Sequence, residues 1–454
     1  MIFVVIVKQI SGVRKVLKFL TNGAAIGSLM LVSAGAHAAG VQAVGVQAGG
    51  VPGAVAASQG AAAALDSFYA GRRNAPLWFE DKRPGAAAAE LVAILRRAPV
   101  DGLASGPQLA AEVEQAIGQA RSGQPQAIAR AERLMSAAWV AYVQALRAPT
   151  PGMIYGDPGM PAAAPQASII LRDAARARSL GAYLAEVSAV NPIYAALRRA
   201  ALLEGGTVAP SAVLRANLDR ARAIPSQGRF VLVDAAAARL YMYDVGRVTD
   251  SMKVIVGKPQ YATPMIASAI HYATFNPYWH VPDHLVRETI AANVVKQGAK
   301  YLRARGYEVV SDYGEQAEVL PPSSVDWKAV AAGAATVRIR QRPGATNAMG
   351  AVKFSFPNNA GIYLHDTPDK ALFAEAQRTL SNGCVRLEDA PRLARWLGSP
   401  RVEGSRPEQH VRLPRSVPIF ITYLTAAPEG GTINLVDDVY GRDRNVLAKT
   451  AALN

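Results

Sequence analysis

"RFVLVDAAAARLYMYDVGRVTDSMKVIVG", residues 229–257, is where the pattern of the chain changes. Its β-branched and aromatic runs are short, and turn residues such as Asp244, Val245 and Gly246 part them, which predicts consecutive strands. Upstream the spacing is helical: in "AAAAELVAILRRA", residues 86–98, Leu91, Ile94 and Leu95 recur at i, i+3 and i+4. "RAERLMSAAWVAYVQALRA" and "NPIYAALRRAALLEGG" read the same way, so residues 63–224 are expected to be mostly helical, interrupted by the Pro/Gly-rich "PTPGMIYGDPGMPAAAP". Downstream, "KFSFPNNAGIYLHD" predicts a hairpin across Pro357, Asn358 and Asn359, and "VPIFITYLTA" predicts a late strand. Between these strands, "VPDHLVRETIAANVVKQGAKYLRARGYEVV" predicts a helical insertion, large enough to be a lid. A helical half followed by a strand-rich half with its own insertion is an α+β architecture.

Length and composition set the outer bounds. The 454 residues are enough for two or three cores, and 50% hydrophobic with 18% charged residues excludes a disordered or fibrous chain. A net charge of +15 points to an anionic partner: nucleic acid, anionic lipid or a carboxylate-rich wall polymer. At the start, Arg14, Lys15 and Lys18 precede a short apolar run ending in Ala36-His37-Ala38, which predicts a removable signal peptide over residues 1–38. An uncleaved membrane tether is the alternative. Residues 39–62 are Gly/Ala/Val/Gln-rich and are expected to be a linker.

Export gives weight to the single cysteine, Cys384, which has no partner for a disulfide. It lies between Gly383 and Val385, two residues before Arg386, with His365 at the end of the predicted strand upstream. A thiol attacks a carbonyl only as thiolate and needs a base or a cation beside it. His365 is a candidate base, Arg386 a candidate cation or carboxylate binder, and the N–H groups around Gly383 and Cys384 are candidate oxyanion donors. Composition and spacing also allow a small buried thiol, a satisfied histidine and a surface arginine. His271, His280 and His284 form no metal-ligand spacing with a carboxylate cluster, so neither metal nor cofactor is expected, and His280 and His284 are expected to be local hydrogen-bonders.

"HDTPDKALFAEAQRTLSNGCVRLED", residues 365–389, closely resembles the active-site signature of bacterial L,D-transpeptidases of the YkuD type. "VIVGKPQYATPMIASAIHYATFNPYWHVP", "PPSSVDWKAV", "RIRQRPGATNAMGAVKFSFPN", "DDVYGRD" and the upstream "FYAGRRNAPLW" resemble the large periplasmic YcbB-like branch. The resemblance implies a helical scaffold domain, residues 63–224. It implies a mixed β-sandwich-like catalytic domain over 225–450, with a helical capping subdomain at about 283–340. It further implies attack by Cys384 on the third residue of a peptidoglycan tetrapeptide, release of D-Ala, and transfer to another stem as a 3→3 crosslink. His365 is then the base, oriented by the backbone carbonyl of Asp366, and Gly383 belongs to the catalytic turn. Arg386, Tyr363, Trp279, Ser381 and Asn382 are the implied substrate-binding residues. Carbapenem acylation of Cys384 is implied as well, and a nucleic-acid partner is not.

Two departures stand out. Asn382 replaces the His that many relatives carry before the glycine, and no room is left for a peptidoglycan-binding module between scaffold and catalytic domain. The segment "EGSRPEQHVRLPRS", residues 403–416, reads as a polar loop without an assigned role. An L,D-carboxypeptidase or hydrolase using the same thioester, and a non-catalytic wall-binding scaffold, are the rival readings.

Overall fold

The computed structural model describes residues 52–443 apart from 161–162, 206–210, 315, 401–403, 405 and 430. The expected signal peptide, most of the expected linker and the last residues of the expected catalytic domain lie outside the described residues. Residues from Gly53 onward form one compact unit.

Among the described residues eight helices come first: α1 Pro52–Gly71, α2 Ala86–Arg97, α3 Gly106–Ala120, α4 Pro125–Leu146, α5 Ala167–Arg176, α6 Leu180–Ala189, α7 Pro192–Gly205 and α8 Ala212–Ala221. Helix α1 begins inside the stretch expected to be linker. Alanine favours helix wherever glycine and proline do not interrupt it, and Leu65 and Tyr69 on its later turns are buried. The helices are held by polar hubs as well as by their apolar faces. Glu132 on α4 is 3% exposed, and its carboxylate accepts the N–H groups of Leu77, Trp78 and Phe79 and the Tyr69 hydroxyl at 2.8–2.9 Å. Thus "FYAGRRNAPLW" folds around one buried carboxylate. Asp101, fully buried, accepts from the hydroxyls of Tyr142 and Tyr194, both at 2.9 Å.

The strands that the second half gives to the main sheet are β2 Phe230–Asp234, β3 Arg239–Asp244, β4 Arg247–Gly257, β5 Met265–Phe275, β6 Val352–Ser355, β7 Leu364–His365, β8 Thr379–Ser381, β9 Val385–Leu387 and β10 Gln409–Thr422. They run β6-β7-β9-β4-β3-β2-β10-β5, and β6 pairs again with β5, so the sheet closes on itself. The pairing is mixed: β7–β9 and β10–β2 are parallel, and the rest of this ring is antiparallel. Alternation does the sorting, as in β3, where Leu240 and Met242 point into the core.

One strand of this sheet comes from the helical half. Met153–Tyr155, β1, lies in the Pro/Gly-rich stretch expected to be an interruption, and it pairs in parallel with Met265–Ala267 at the start of β5. The start of β5, which β6 does not reach, is covered this way, and the exposed sheet edge is shortened. A buried ion pair adds a second tie: Arg220 on α8 lies 2.7 Å from Asp443 of the "DDVYGRD" stretch. One hydrophobic core therefore runs from the helices into the sheet.

The insertion between β5 and β6 has a core of its own, built from Val286, Ile290, Leu302, Val309, Val330 and Ile339. It is not purely helical, as expected, nor confined to 283–340. Strands Trp279–His280, Tyr307–Val310, Val319–Leu320 and Arg338–Gln341 form a four-stranded antiparallel sheet inside it. The β-branched pair Val309 and Val310 belongs to a strand, where its stiff side chains pack better than in a helix. The helical part, Asp283–Leu285 into Ala292–Gln297, passes through a π-helical turn at Val286–Ala291. Among the described residues no helix is long and apolar enough to cross a membrane.

Candidate active site

The site is set by the parallel pairing of β7 with β9. In that register Leu364 lies opposite Val385 and His365 opposite Arg386, and the Val385 N–H donates to the Tyr363 carbonyl at 3.1 Å. Leu364 and Val385 point into the core and are fully buried. By alternation Tyr363, His365, Cys384 and Arg386 share the other face, with Cys384 beside Tyr363 and diagonal to His365. The rings of Tyr363 and His365 meet edge to face with centroids 5.8 Å apart.

The turn before Cys384 is tied down from behind. Ser381 is 2% exposed; its hydroxyl donates to the Cys384 carbonyl at 2.6 Å and accepts the Gly383 N–H at 3.1 Å. Thr263 donates to the Gly383 carbonyl at 2.7 Å and accepts the Gly257 N–H at 2.9 Å. Behind these, Tyr440 and Arg442 donate to the carbonyls of Gly257 and Thr263. Gly383 has φ +113°, a conformation that side chains rarely adopt, and a β-carbon there would press on Ile362 at 3.3 Å.

These contacts correct two expectations. Ser381, expected to bind substrate, is buried with its hydroxyl occupied by the turn, so it is a positioning group. The Gly383 N–H, expected as an oxyanion donor, points at Ser381. The Cys384 N–H has no acceptor among the described residues and is the donor left open beside the thiol. Asn382 is exposed and makes no side-chain hydrogen bond among the described residues.

His365 is 3% exposed, and its Nδ1 lies 2.6 Å from the Asp366 carbonyl. A carbonyl only accepts, so this contact puts the proton on Nδ1 and leaves Nε2 as the basic nitrogen. Burial, then the Arg386 charge, holds the imidazolium down to a pKa of about 3, although the Asp366 and Ala348 carbonyls act the other way. The Asp366 carboxylate works structurally: it accepts from the Ala351 N–H at 2.9 Å and from Lys370 at 2.7 Å, and Lys370 also donates to the Glu388 carbonyl. Gly350, at φ +61°, gives this carboxylate room, since a β-carbon there would lie 2.6 Å from its Cγ.

Cys384 is half-buried, and its sulfur lies 3.7 Å from the Gly361 carbonyl. Burial pushes the thiol up, while hydrogen bonding from Tyr363 and the charges of Arg386 and Lys353 pull it back. Arg386 makes no side-chain hydrogen bond among the described residues; burial lowers its pKa, and Asp369 and Cys384 oppose that. Thiol and imidazole therefore rest neutral, with an unpaired guanidinium across from the histidine. No hydrogen bond joins the imidazole to the thiol in this resting arrangement.

Trp279 belongs to the insertion. It pairs with Gln341 in the insertion's sheet and packs on that core, its ring 6.3 Å from Tyr307. His280 and His284 stack on tyrosines instead of serving as hydrogen-bonders, His280 on Tyr313 at 4.4 Å and His284 on Tyr261 at 5.3 Å. His271 pairs with Asp157 at 2.8 Å. Among the described residues no three His, Cys, Asp or Glu side chains converge as a metal site.

Sequence reasoning missed Thr263, Tyr440 and Lys353. For Lys353 a signal existed: in "AVKFSF", Val352 and Phe354 are apolar and alternate with Lys353 and Ser355, which puts the lysine on the face of His365.

A stability test follows from His365. Its folded pKa lies below the unfolded value near ~6.5, so the stability it contributes is full above that pH and is lost as pH falls toward about 3. His365→Gln is expected to reduce the drop in unfolding free energy between pH 7 and 4.5 by about 2 kcal/mol, measured by urea denaturation at both pH values.

Residues 228–417 match the model of the YkuD L,D-transpeptidase catalytic domain, and residues 63–200 match that of a scaffold domain. A Haemophilus influenzae protein that bears the name "Putative L,D-transpeptidase" is 27% identical over 396 residues, which cover 84% of this chain and 78% of that protein. Among solved structures, an L,D-transpeptidase from Mycobacterium smegmatis is 13% identical with a TM-score of 0.23. The match covers 43% of this chain and 59% of that one, less than two thirds of its length. The Enterococcus faecium L,D-transpeptidase is 10% identical with a TM-score of 0.21, over 44% of this chain and 51% of that one. The chain therefore carries a match to the YkuD L,D-transpeptidase catalytic domain at residues 228–417, preceded by a match to a scaffold domain at residues 63–200.

Proposed function

We propose that the protein is a periplasmic peptidoglycan L,D-transpeptidase of the YcbB-like branch that makes 3→3 crosslinks through a thioester on Cys384. The observation that carries this reading is the single sheet face holding Tyr363, His365, Cys384 and Arg386. The unpaired Arg386 guanidinium suits a carboxylate of the donor stem. As the thiol attacks the carbonyl of the third residue, its proton passes to His365 Nε2, and the C–S bond forms. The Cys384 N–H faces the developing oxyanion. Collapse breaks the bond to D-Ala, whose nitrogen takes the proton from the imidazolium. The side-chain amine of a second stem then attacks the thioester, gives a proton to His365, and forms the new amide as the C–S bond breaks. A resting site without a thiol–imidazole hydrogen bond is compatible with this sequence, because such bonds often tighten only with substrate in place.

In this reading the insertion between β5 and β6 restrains water, which the amine must outcompete. It connects to the turn before Cys384 through Tyr261, whose ring stacks on His284 and whose carbonyl lies behind Gly383. The +15 charge supports binding to wall carboxylates without a separate binding module. The test is incubation with disaccharide tetrapeptide and product analysis by mass. Crosslinked dimer plus D-Ala is the expected result, and tripeptide monomer alone overturns transpeptidation in favour of the carboxypeptidase.

A further inference from the structure

The reading above uses one cation, Arg386, yet the same row of the sheet holds a second. Lys353 lies opposite His365 on one side as Arg386 does on the other, so the histidine sits between two positive groups on one face. The Lys353 ammonium is 5.9 Å from the centre of the Tyr363 ring, and Tyr363 is the residue beside Cys384 in the register of β7 and β9.

Its place is set by Glu408, in the stretch expected to be a polar loop, of which residues 409–416 are instead the first half of β10 because they pair with β5. Glu408 Oε1 lies 3.4 Å from the Lys353 ammonium. The same side chain accepts the Tyr278 N–H through Oε2 at 2.6 Å, and the Glu408 N–H donates to the Asn276 carbonyl at 2.9 Å. Glu408 has φ +52°, unusual for a residue with a side chain, so the loop holds a strained backbone where the carboxylate meets the lysine. An exposed lysine pair is usually loose; this one is about four-fifths buried on both sides and is anchored at the root of the insertion.

We propose that Lys353 is a second cationic positioning group for the Cys384 thiolate, and that Glu408 fixes its ammonium at the edge of the site. This rests on Cys384 being the nucleophile. The physics is direct: a positive charge nearby stabilises the thiolate over the thiol, and a partner carboxylate sets how much of that charge the sulfur feels. Other charges border the pair. His280 lies in the field of Glu408, Lys353 and Arg340. Thr274, opposite Lys353 on β5, holds His410 at 3.0 Å. Asp369 opposes Arg386 on the far side of the row.

Cys384 is the only cysteine, so the pH dependence of its alkylation by iodoacetamide in the full chain reads the thiol without any substrate. Lys353→Met is expected to move the alkylation midpoint up by about one pH unit, and Lys353→Arg to restore it. Glu408→Gln keeps an acceptor for Tyr278 but removes the opposing charge, and is expected to move the midpoint down by about half a unit. Coincident profiles for wild type and a folded Lys353→Met protein overturn the proposal, as does an upward shift in Glu408→Gln. Those results leave crosslinking by the wild type untouched. A wild type that yields no crosslinked dimer, with the shifts intact, overturns the transpeptidase reading instead.

Discussion

Cys384→Ala is expected to lower crosslink formation by roughly 10⁴-fold or more while leaving the unfolding midpoint nearly unchanged. The size follows from covalent catalysis: without the sulfur there is no thioester, and neither the Cys384 N–H nor Arg386 provides a nucleophile in its place. The small stability cost follows from the environment. The sulfur is half-buried with one long contact to the Gly361 carbonyl. The turn itself is held by Ser381, Thr263 and the main chain of Gly383. Product mass analysis and a thermal melt on the same preparation check both halves.

Glu132→Ala is expected to cost about 4 kcal/mol of stability, the largest effect among single changes far from the site. The carboxylate accepts three main-chain N–H groups and the Tyr69 hydroxyl in a position 3% exposed. Truncation strands the three main-chain N–H groups away from water, whereas the Tyr69 hydroxyl keeps the Glu132 carbonyl and the Ser136 hydroxyl as partners. The control is Glu114→Ala. Its partner Arg96 is 2.7 Å away, but both side chains are about half exposed, so the loss is expected to stay below ~1 kcal/mol. Urea unfolding of the two variants beside wild type measures the contrast.

The same comparison explains what the sequence made legible. Local pattern marked the strands around residues 229–257 and the hairpin onto His365, because a period of two is written in neighbouring residues. Pairing between distant segments is not written there. β1 is three residues long in a Pro/Gly-rich stretch, and only its partner on β5 makes it a strand. The site shows the same division. His365, Cys384 and Arg386 stood out by residue type and by a familiar motif, whereas their common face depends on the parallel register of β7 and β9. The resemblance implied substrate binding for Ser381, and only the folded turn shows that its hydroxyl is taken up by two main-chain partners. Thr263 and Tyr440 carry no local sign of function; they matter through carbonyls that the closed sheet brings behind Cys384.

The account stands most directly on where the acyl group is carried. The full chain is mixed with disaccharide tetrapeptide and no added acceptor, quenched in acid within the first turnover, and digested for mass mapping. The expected result is the tripeptide acyl adduct on the peptide holding Cys384, removed by hydroxylamine as a thioester and missing from Cys384→Ala. Turnover of the tetrapeptide with the adduct on another residue, or undiminished turnover in Cys384→Ala, would contradict it.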